Sequence, residues 1–487
     1  MYLLGVDIGG TMTKAVIFDY KGKEISSHSL NTPVNVSKNV YNDRDMTLMW
    51  DITAKCIRET IQKANIDPYD IKSIGCSGHG KGLYPWGKDG KPAYKAIAST
   101  DRRALNIVRE WEENGVSEKA SEISLQTVIE CQPAALLAWL KKYERDAYDN
   151  IQWVFEAKDY IRFMLTSEPM AEVTDYSGTS LMDLRKVEFS KELFTLFGIE
   201  EMYDCMPKLC YSYELCGYVT KEAASLTGLA EGTPVCGGMF DIDACAVGMN
   251  VIDPEMIAVI TGTWSINEYV SKEHVPGNVS TKNSLFAVPG YYLIEESSPT
   301  SAGNLDWYIN NFQTNMLYKE CDKLVEEAAF NDILFYPFLY GTNARNVNNA
   351  SFVGLNLGHS KEDVLRAVYE GVVYSHRMHV DNLLRYREKP KTIRISGGST
   401  NSDVWMQMFA DCLGIPCEVV DAKELGALGA CMAAGVQVGV YKDYQDAADK
   451  MVSIKRSFEP RSEYIAVYDE KYARYVKVLN ALGKVGV

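Results

Sequence analysis

"LLGVDIGGTMTKAVIFD" occupies residues 3–19. An apolar run ends on Asp7, two glycines and Thr-Met-Thr-Lys follow, and a second apolar run begins. Residues 2–7 and 13–18 are β-rich, "DYKGK" (19–23) is a turn signal, and "EISSHSL" (24–30) reads as a third strand. The glycine loop therefore joins strand to strand. A Walker loop needs GxxxxGK[ST] opening a helix, and a dinucleotide loop needs GxGxxG opening a helix. Neither spacing occurs here, and no helix follows. The loop still suits phosphate, because Gly9, Gly10, Thr11 and Thr13 offer backbone N–H groups and hydroxyls in a tight turn.

The same design recurs. "MIAVITGTWSINEYVSK" (256–272) is strand, Gly-Thr turn, strand, about 250 residues on, counted from Gly10 to Gly262. A single strand–glycine–strand stretch is common, so chance is the plain alternative. Two copies, one near the start of each half, point to a duplicated two-lobed architecture. The polar break at 250–255, with Pro254, sets the boundary between domains 1–250 and 251–487. Gly262 and Thr263 then form a second phosphate jaw. Asp7 places a carboxylate beside the first jaw, which is unfavourable unless a cation lies between. It reads as a Mg²⁺ anchor acting through water, in preference to a turn-capping aspartate.

Between the jaws lies "TPVCGGMFDIDACAVGMN" (233–250): short strand, glycine pair, acidic turn and a helix of small residues. Phosphoryl transfer needs a carboxylate near the acceptor hydroxyl to orient it and take its proton. Asp241 and Asp243 are the candidates. An acidic residue at a helix start also merely offsets the dipole, and that reading should hold for one of them. "GHGKG" (78–82) and "STDRR" (99–103) are polar clusters after apolar runs. His79, Lys81, Asp101 and Arg103 are suited to the fixed donors and acceptors that a polyol requires, although any one alone reads as surface loop. "TIRISGGSTNSDVWMQMFADCLG" (392–414) is strand, Gly-Gly turn and amphipathic helix, with Ser402 or Asn401 as N-cap and Gly414 past the end. "ELGALGACMAAG" (424–435) is a small-residue helix. It admits either a flat ring or another backbone at close range.

The bulk numbers narrow the class. The chain has 487 residues, 46% hydrophobic and 24% charged, as expected of a soluble protein of two or three domains. A net charge of −15 disfavours nucleic acid and anionic membrane as partners. No apolar run reaches the ~18 residues of a span, and the N-terminal run is broken too early for a leader. The 12 cysteines contain no CxxC pair and suggest neither a disulfide framework nor a zinc site. His376 and His379 can share a helix face, where packed histidines are expected rather than ligands. A reduced, cytoplasmic setting is the expectation.

Together these stretches resemble the FGGY carbohydrate kinases, of the actin/hexokinase/heat-shock ATPase superfamily. "VDIGGTMTKAVIFD" is similar to the family's first phosphate motif and "TGTW" to its second. "GGMFDIDACAVG" resembles the element carrying the catalytic aspartate, and alignment on "AVG" (246–248) puts that role on Asp241. "FEAKDYIRFMLTSE" (155–168) with "TDYSGTSLMDL" (174–184), "SPTSAGNLDW" (298–307) with Gly303, and "FVGLNLGHSKEDVLRAVYEGVVYSHR" (352–377) resemble further family segments.

The resemblance implies two α/β domains of actin/hexokinase-like (ribonuclease H-like) fold. Each has a mixed five-stranded sheet, and the active site lies in an interdomain cleft. It implies ATP and Mg²⁺, with Asp241 as base. The sugar is held by His79, Lys81, Asp101, Arg103 and Asp241. ATP is bound by Gly10, Thr11, Thr13, Lys14, Gly262, Thr263, Gly303, Gly397, Gly398 and Asn401, with the adenosine near the Ala427 helix. Asp7 is on the metal side. A homodimer is the family-level expectation. Within the family, "KGLYPW", "DRRA" and "SDVWMQMFAD" look most like L-xylulose kinases, implying a pentulose acceptor such as L-xylulose. The alternatives are D-xylulose, erythritol or glycerol, or a sugar-independent actin-like ATPase. Common xylulokinases carry Gln-Met-His-Gly where this chain reads His79-Gly80-Lys81-Gly82, and the L-xylulose group carries Gln at position 79. The choice of sugar therefore rests on residues 78–103.

Overall fold

The opening stretch folds as the strand–loop–strand its composition dictates. Strands Tyr2–Ile8 and Met12–Asp19 pair antiparallel, with Asp7 opposite Lys14 and Ile8 opposite Thr13. Glu24–Asn31 adds antiparallel to the second strand. The computed structural model describes residues 1–37, 41–262, 264–277, 279–313, 316–342, 347 and 349–485. Thr263 lies outside the described residues.

Helix Met46–Ala64 begins at Asp45, whose side chain accepts from Leu48 N–H, and ends on Asn65 in the left-handed conformation. Its apolar face carries Met46, Met49, Trp50, Ile57 and Ile61 into a core with Val6, Ile8 and Ile17. Burying such side chains stabilises by about 1.5–3 kcal/mol each. Strand Ile71–Gly78 lies parallel to Tyr2–Ile8, so the ends of both strands present Gly9 and His79 side by side.

The first sheet is seven-stranded, not five-stranded. Its order is Leu215–Tyr218, Pro234–Cys236, Ile71–Gly78, Tyr2–Ile8, Met12–Asp19, Glu24–Asn31, and Met239–Phe240 also pairs with Ile71–Gly78. The extra strands arise because the segment leading to Asp241 docks on the sheet edge rather than crossing it as loop. The second sheet is also seven-stranded rather than five-stranded, and at its centre Met256–Thr261 pairs antiparallel with Ser265–Ser271 and parallel with Thr392–Gly397. Thr392–Gly397 then pairs with Cys417–Val420, and that strand with Ile454–Phe458. Helix Asp403–Leu413 starts at Ser402, which accepts from Trp405 N–H, and stops at Gly414 (φ 60°).

The chain forms two compact units, and they divide it less simply than 1–250 and 251–487. The first is Met1–Ile252 with Lys272–Leu293 and Ala422–Val452, and the second is Asp253–Ser271, Ile294–Asp421 and Ser453–Val487. The helix Leu425–Gln437 explains the return of the last segment. A Cβ on Gly5, Gly75 or Gly429 would collide with the carbonyl oxygen of Ala427, Ala430 or Ala244. The small residues thus serve close backbone packing within the first unit, where the sequence also allowed an adenosine surface. Among the described residues, no helix is long and apolar enough to cross a membrane.

Candidate functional site

The first-unit loop keeps its ends fixed and its tip open. Gly9 N–H donates to Met12 O at 2.9 Å and Thr32 N–H to Thr11 O at 2.9 Å. Gly10 and Thr11 are exposed, and a Cβ on Gly10 would meet nothing within 4 Å. Thr13 differs. Its side chain is buried in the strand, where Oγ1 has no hydrogen-bond partner. Lys14 Nζ lies 2.7 Å from Glu424. Burial pulls its pKa down, but the Glu424 contact outweighs this and holds the ammonium above its ordinary range. Asp7 accepts from Ser77 Oγ at 2.9 Å. Burial raises its carboxyl against that hydrogen bond and against Lys14. A Cβ on Gly426 would press on the Asp7 carboxylate at 3.1 Å.

Asp241 opens helix Asp241–Gly248, and the two acidic candidates part company there. Asp243 is fully buried and accepts from Ala287 N–H at 3.1 Å. Burial pushes its carboxyl well above the ordinary range. Asp241 is partly exposed. The entry to this helix is held from "FEAKDYIRFMLTSE" and the segment after it. Phe240 N–H donates to Thr174 Oγ1 at 2.9 Å, and Thr174 Oγ1–H donates to Glu172 at 2.6 Å. Glu172 belongs to a buried cluster in which Lys158 Nζ lies 2.8 Å from Asp159, 3.3 Å from Glu172 and 3.4 Å from Asp175. Arg162 closes the cluster on Asp159 at 2.6 Å. Such a network fixes geometry at a desolvation cost.

His79 is buried against Arg44 Nη1 (3.3 Å) and Tyr84 Oη (3.0 Å), both at Nε2. A guanidinium only donates, so Nε2 accepts and the proton resides on Nδ1. Burial, then Arg44, lowers the ring pKa to about 3, keeping it neutral. Lys81, with φ 65°, places Nζ 5.7 Å from the centre of the Phe240 ring. Loop 78–82 is thereby brought to the residue preceding Asp241. Asp101 and Arg103 are instead engaged with each other. Arg103 donates to Asp101 Oδ1 and Oδ2, each at 2.8 Å, and to Asp43 at 2.5 Å, and lies over the rings of Tyr41 and Trp139. The second oxygen of Asp101 also accepts from Asn42 N–H at 2.6 Å. They brace the loop. Sequence reading missed Arg44, Tyr84 and Thr174, since nothing in their spacing announces them.

The second unit holds a cavity of about 630 Å³, lined in part by Gly262, Gly303, Gly398 and Asn401. Leu317, Tyr318, Tyr369 and Trp405 supply apolar wall, and Asp322 accepts from Tyr369 Oη (2.9 Å) and Ser402 Oγ (2.6 Å). A planar base and a ribose suit this mix. Gly397 stands just behind the cavity with φ 100°, where a Cβ would collide with Thr261 O. His376 ties strand Ser265–Ser271 to the turn before helix Gly303–Phe312: its Nδ1 lies 2.8 Å from Asn267 Oδ1, and its Nε2 lies 2.7 Å from Ser301 Oγ.

Comparison with known proteins agrees with both halves. Residues 2–248 match the FGGY family of carbohydrate kinases, N-terminal domain, and residues 257–438 its C-terminal domain. The chain is 36% identical over 493 residues to a probable L-xylulose kinase of Haemophilus influenzae, covering 99% of each. It is 34% identical over 484 residues to the L-xylulose/3-keto-L-gulonate kinase of Escherichia coli, covering 99% of this chain and 97% of that one. A ligand-bound xylulose kinase from Lactobacillus acidophilus superposes with a TM-score of 0.92 at 23% identity, covering 99% and 98% of the two chains. Plasmodium falciparum glycerol kinase with ADP superposes at 0.88 and 19% identity, covering 98% of each. These structural likenesses establish the fold as actin/hexokinase-like.

Proposed function

Because this chain belongs to the FGGY family of carbohydrate kinases, we propose that it transfers the γ-phosphoryl group of ATP to a terminal hydroxyl of a small ketose, a pentulose such as L-xylulose. The full-length likeness to L-xylulose kinases supports the acceptor class. The observation that carries the reading is the convergence of Lys81 on Phe240, which joins the polar loop 78–82 to the partly exposed Asp241.

In this reading the His79 Nδ1–H and the Lys81 ammonium hold sugar oxygens, while Asp101 and Arg103 brace the loop beside them. Asp241 accepts the proton of the attacking hydroxyl, with its helix entry held by Thr174 and Glu172. Gly10, Thr11, Thr13 and Lys14 serve the phosphates from the first unit. Gly262, Thr263, Gly303, Gly397, Gly398 and Asn401 serve the nucleotide from the second. Lys14 must then exchange Glu424 for phosphate.

Mg²⁺ fits beside Asp7. Gly426 leaves room at that carboxylate, and Ser77 occupies only one of its oxygens. Among the described residues no cluster of three metal-ligating side chains exists. That suits an ion usually held by one or two carboxylates, water and substrate phosphate. When bound, it would neutralise charge developing on the phosphoryl group. The reading extends to a cytoplasmic setting, on the cysteine usage and apolar patterning of the sequence, and to a homodimer, on the family resemblance.

The test is sugar-dependent ADP release across L-xylulose, D-xylulose, erythritol and glycerol. Asp241→Asn should lower the rate by ~10²–10⁴-fold while ATP still binds. Asp243→Asn should do much less. Undiminished activity in Asp241→Asn would refute the base, and turnover indifferent to sugar would favour an ATPase.

A further inference from the structure

Gly237 and Gly238 lead the chain into Asp241, and one loop holds both. Gly237 N–H donates to Glu214 O at 3.0 Å, and Gly238 N–H donates to Ser212 O at 2.9 Å. The Gly237 carbonyl accepts from Arg162 Nη1 at 2.5 Å. Residues 211–215 of that loop are bracketed by Cys210, ending strand Lys208–Cys210, and Cys216, in strand Leu215–Tyr218. Both are free thiols with Sγ atoms 3.3 Å apart, sharing a hydrogen bond. A disulfide has sulfurs about 2.05 Å apart, so closure asks for little more than ~1 Å of movement. The shared hydrogen bond lowers the Cys216 thiol from its ordinary value, burial opposes, and Arg162 lowers it further. Cys210 lines a cavity of about 600 Å³ with Met170, Val173, Tyr211, Tyr213 and Leu215. That cavity gives a small oxidant a route to sulfur.

We infer that Cys210 and Cys216 are a modification site, a thiol pair that a peroxide oxidises to a disulfide, shifting the loop that holds Gly237 and Gly238 and slowing the kinase. The disulfide stands on geometry alone, whereas its effect on rate rests on the proposed role of Asp241. A thiolate of the pair attacks a peroxide oxygen and hydroxide leaves, giving a sulfenic acid. The second thiol displaces water from that sulfur and the S–S bond forms. The pair loses two electrons and two protons, and the peroxide leaves as two waters.

The test treats the reduced full-length protein with hydrogen peroxide, alkylates it and digests it with trypsin. Cleavage after Lys208 and Lys221 yields peptide 209–221, which contains these two cysteines and no other. This peptide should escape alkylation, weigh two hydrogen atoms less than its thiol form, and revert with dithiothreitol. The rate at saturating substrates should fall roughly tenfold and recover on reduction, since a ~1 Å displacement near a reacting group can cost that much or more. Cys216→Ser and, independently, Cys210→Ser should abolish both effects. A wild-type peptide that stays alkylatable while other thiols are oxidised refutes the site. A disulfide with an unchanged rate refutes the coupling. Absence of sugar-dependent ADP release from the reduced enzyme would instead count against the kinase reading.

Discussion

His79 and His376 are both buried imidazoles whose neighbours dictate the tautomer. At His79, Arg44 forces Nε2 to accept, and at His376 the Asn267 carbonyl oxygen requires a proton on Nδ1. Burial lowers each pKa to about 3, and a neighbour (Arg44 for His79, His379 for His376) lowers it further. Below pH ~6.5 the unfolded chain binds protons that these rings do not. Their stabilising contribution is therefore full above that pH and is lost as pH falls from about 6.5 toward about 3. The buried carboxyls of Asp175 and Asp243 are raised and act in the opposite sense, so bulk stability mixes the two. Ring ¹⁵N shifts separate them. Both imidazoles should keep the neutral pattern from about pH 8 to pH 5, and a midpoint near 6.5 in either would overturn its assignment.

The helix Leu425–Gln437 matters through what its residues lack. Gly429 faces the Ala244 carbonyl, one turn into the helix that Asp241 opens. Gly429→Ala should destabilise by about 1–3 kcal/mol in urea unfolding, as overpacking does. It should also lower kcat by displacing that helix. A change within about 0.5 kcal/mol would mean that the backbones part without strain. The role of the Thr174 relay belongs to the same scale: Thr174→Val removes the acceptor for Phe240 N–H. It should reduce kcat roughly tenfold or more with little change in KM for ATP, and Thr174→Ser should restore the rate. Equal losses in Thr174→Val and Thr174→Ser would argue for packing instead.

Across the whole molecule, the cavity assigned to nucleotide belongs to the second unit and the groups assigned to sugar belong to the first. Kinetic defects should divide accordingly. Tyr318→Ala or Asn401→Ala should raise KM for ATP by roughly tenfold, about 1.4 kcal/mol, with the sugar KM almost unchanged. Lys81→Met should do the reverse. Variants of either unit that raise both constants alike would refute the division. ATP at 100 times its Kd should stabilise the fold by about 2.7 kcal/mol, read as a rise in Tm.

Local order was legible wherever near neighbours in sequence decide it. The strand–loop–strand at 2–19, its echo at 256–272, the Ser402 cap and the Gly414 stop all follow from composition, spacing and capping, which act within a few residues. The choice of Asp241 over Asp243 rests instead on the family resemblance; Asp243 is buried and Asp241 partly exposed, and the rate of Asp241→Asn is its test. Long-range contacts decided the rest. The pairing of Arg103 with Asp43, the burial of Thr13, and the fixing of His79 by Arg44 depend on segments distant in sequence meeting. The small-residue helix could have faced a nucleotide or a backbone. Only the approach of Ala427, Ala430 and Gly429 to Gly5, Gly75 and Ala244 settled that it faces backbone, because a short side chain permits contact without naming the partner.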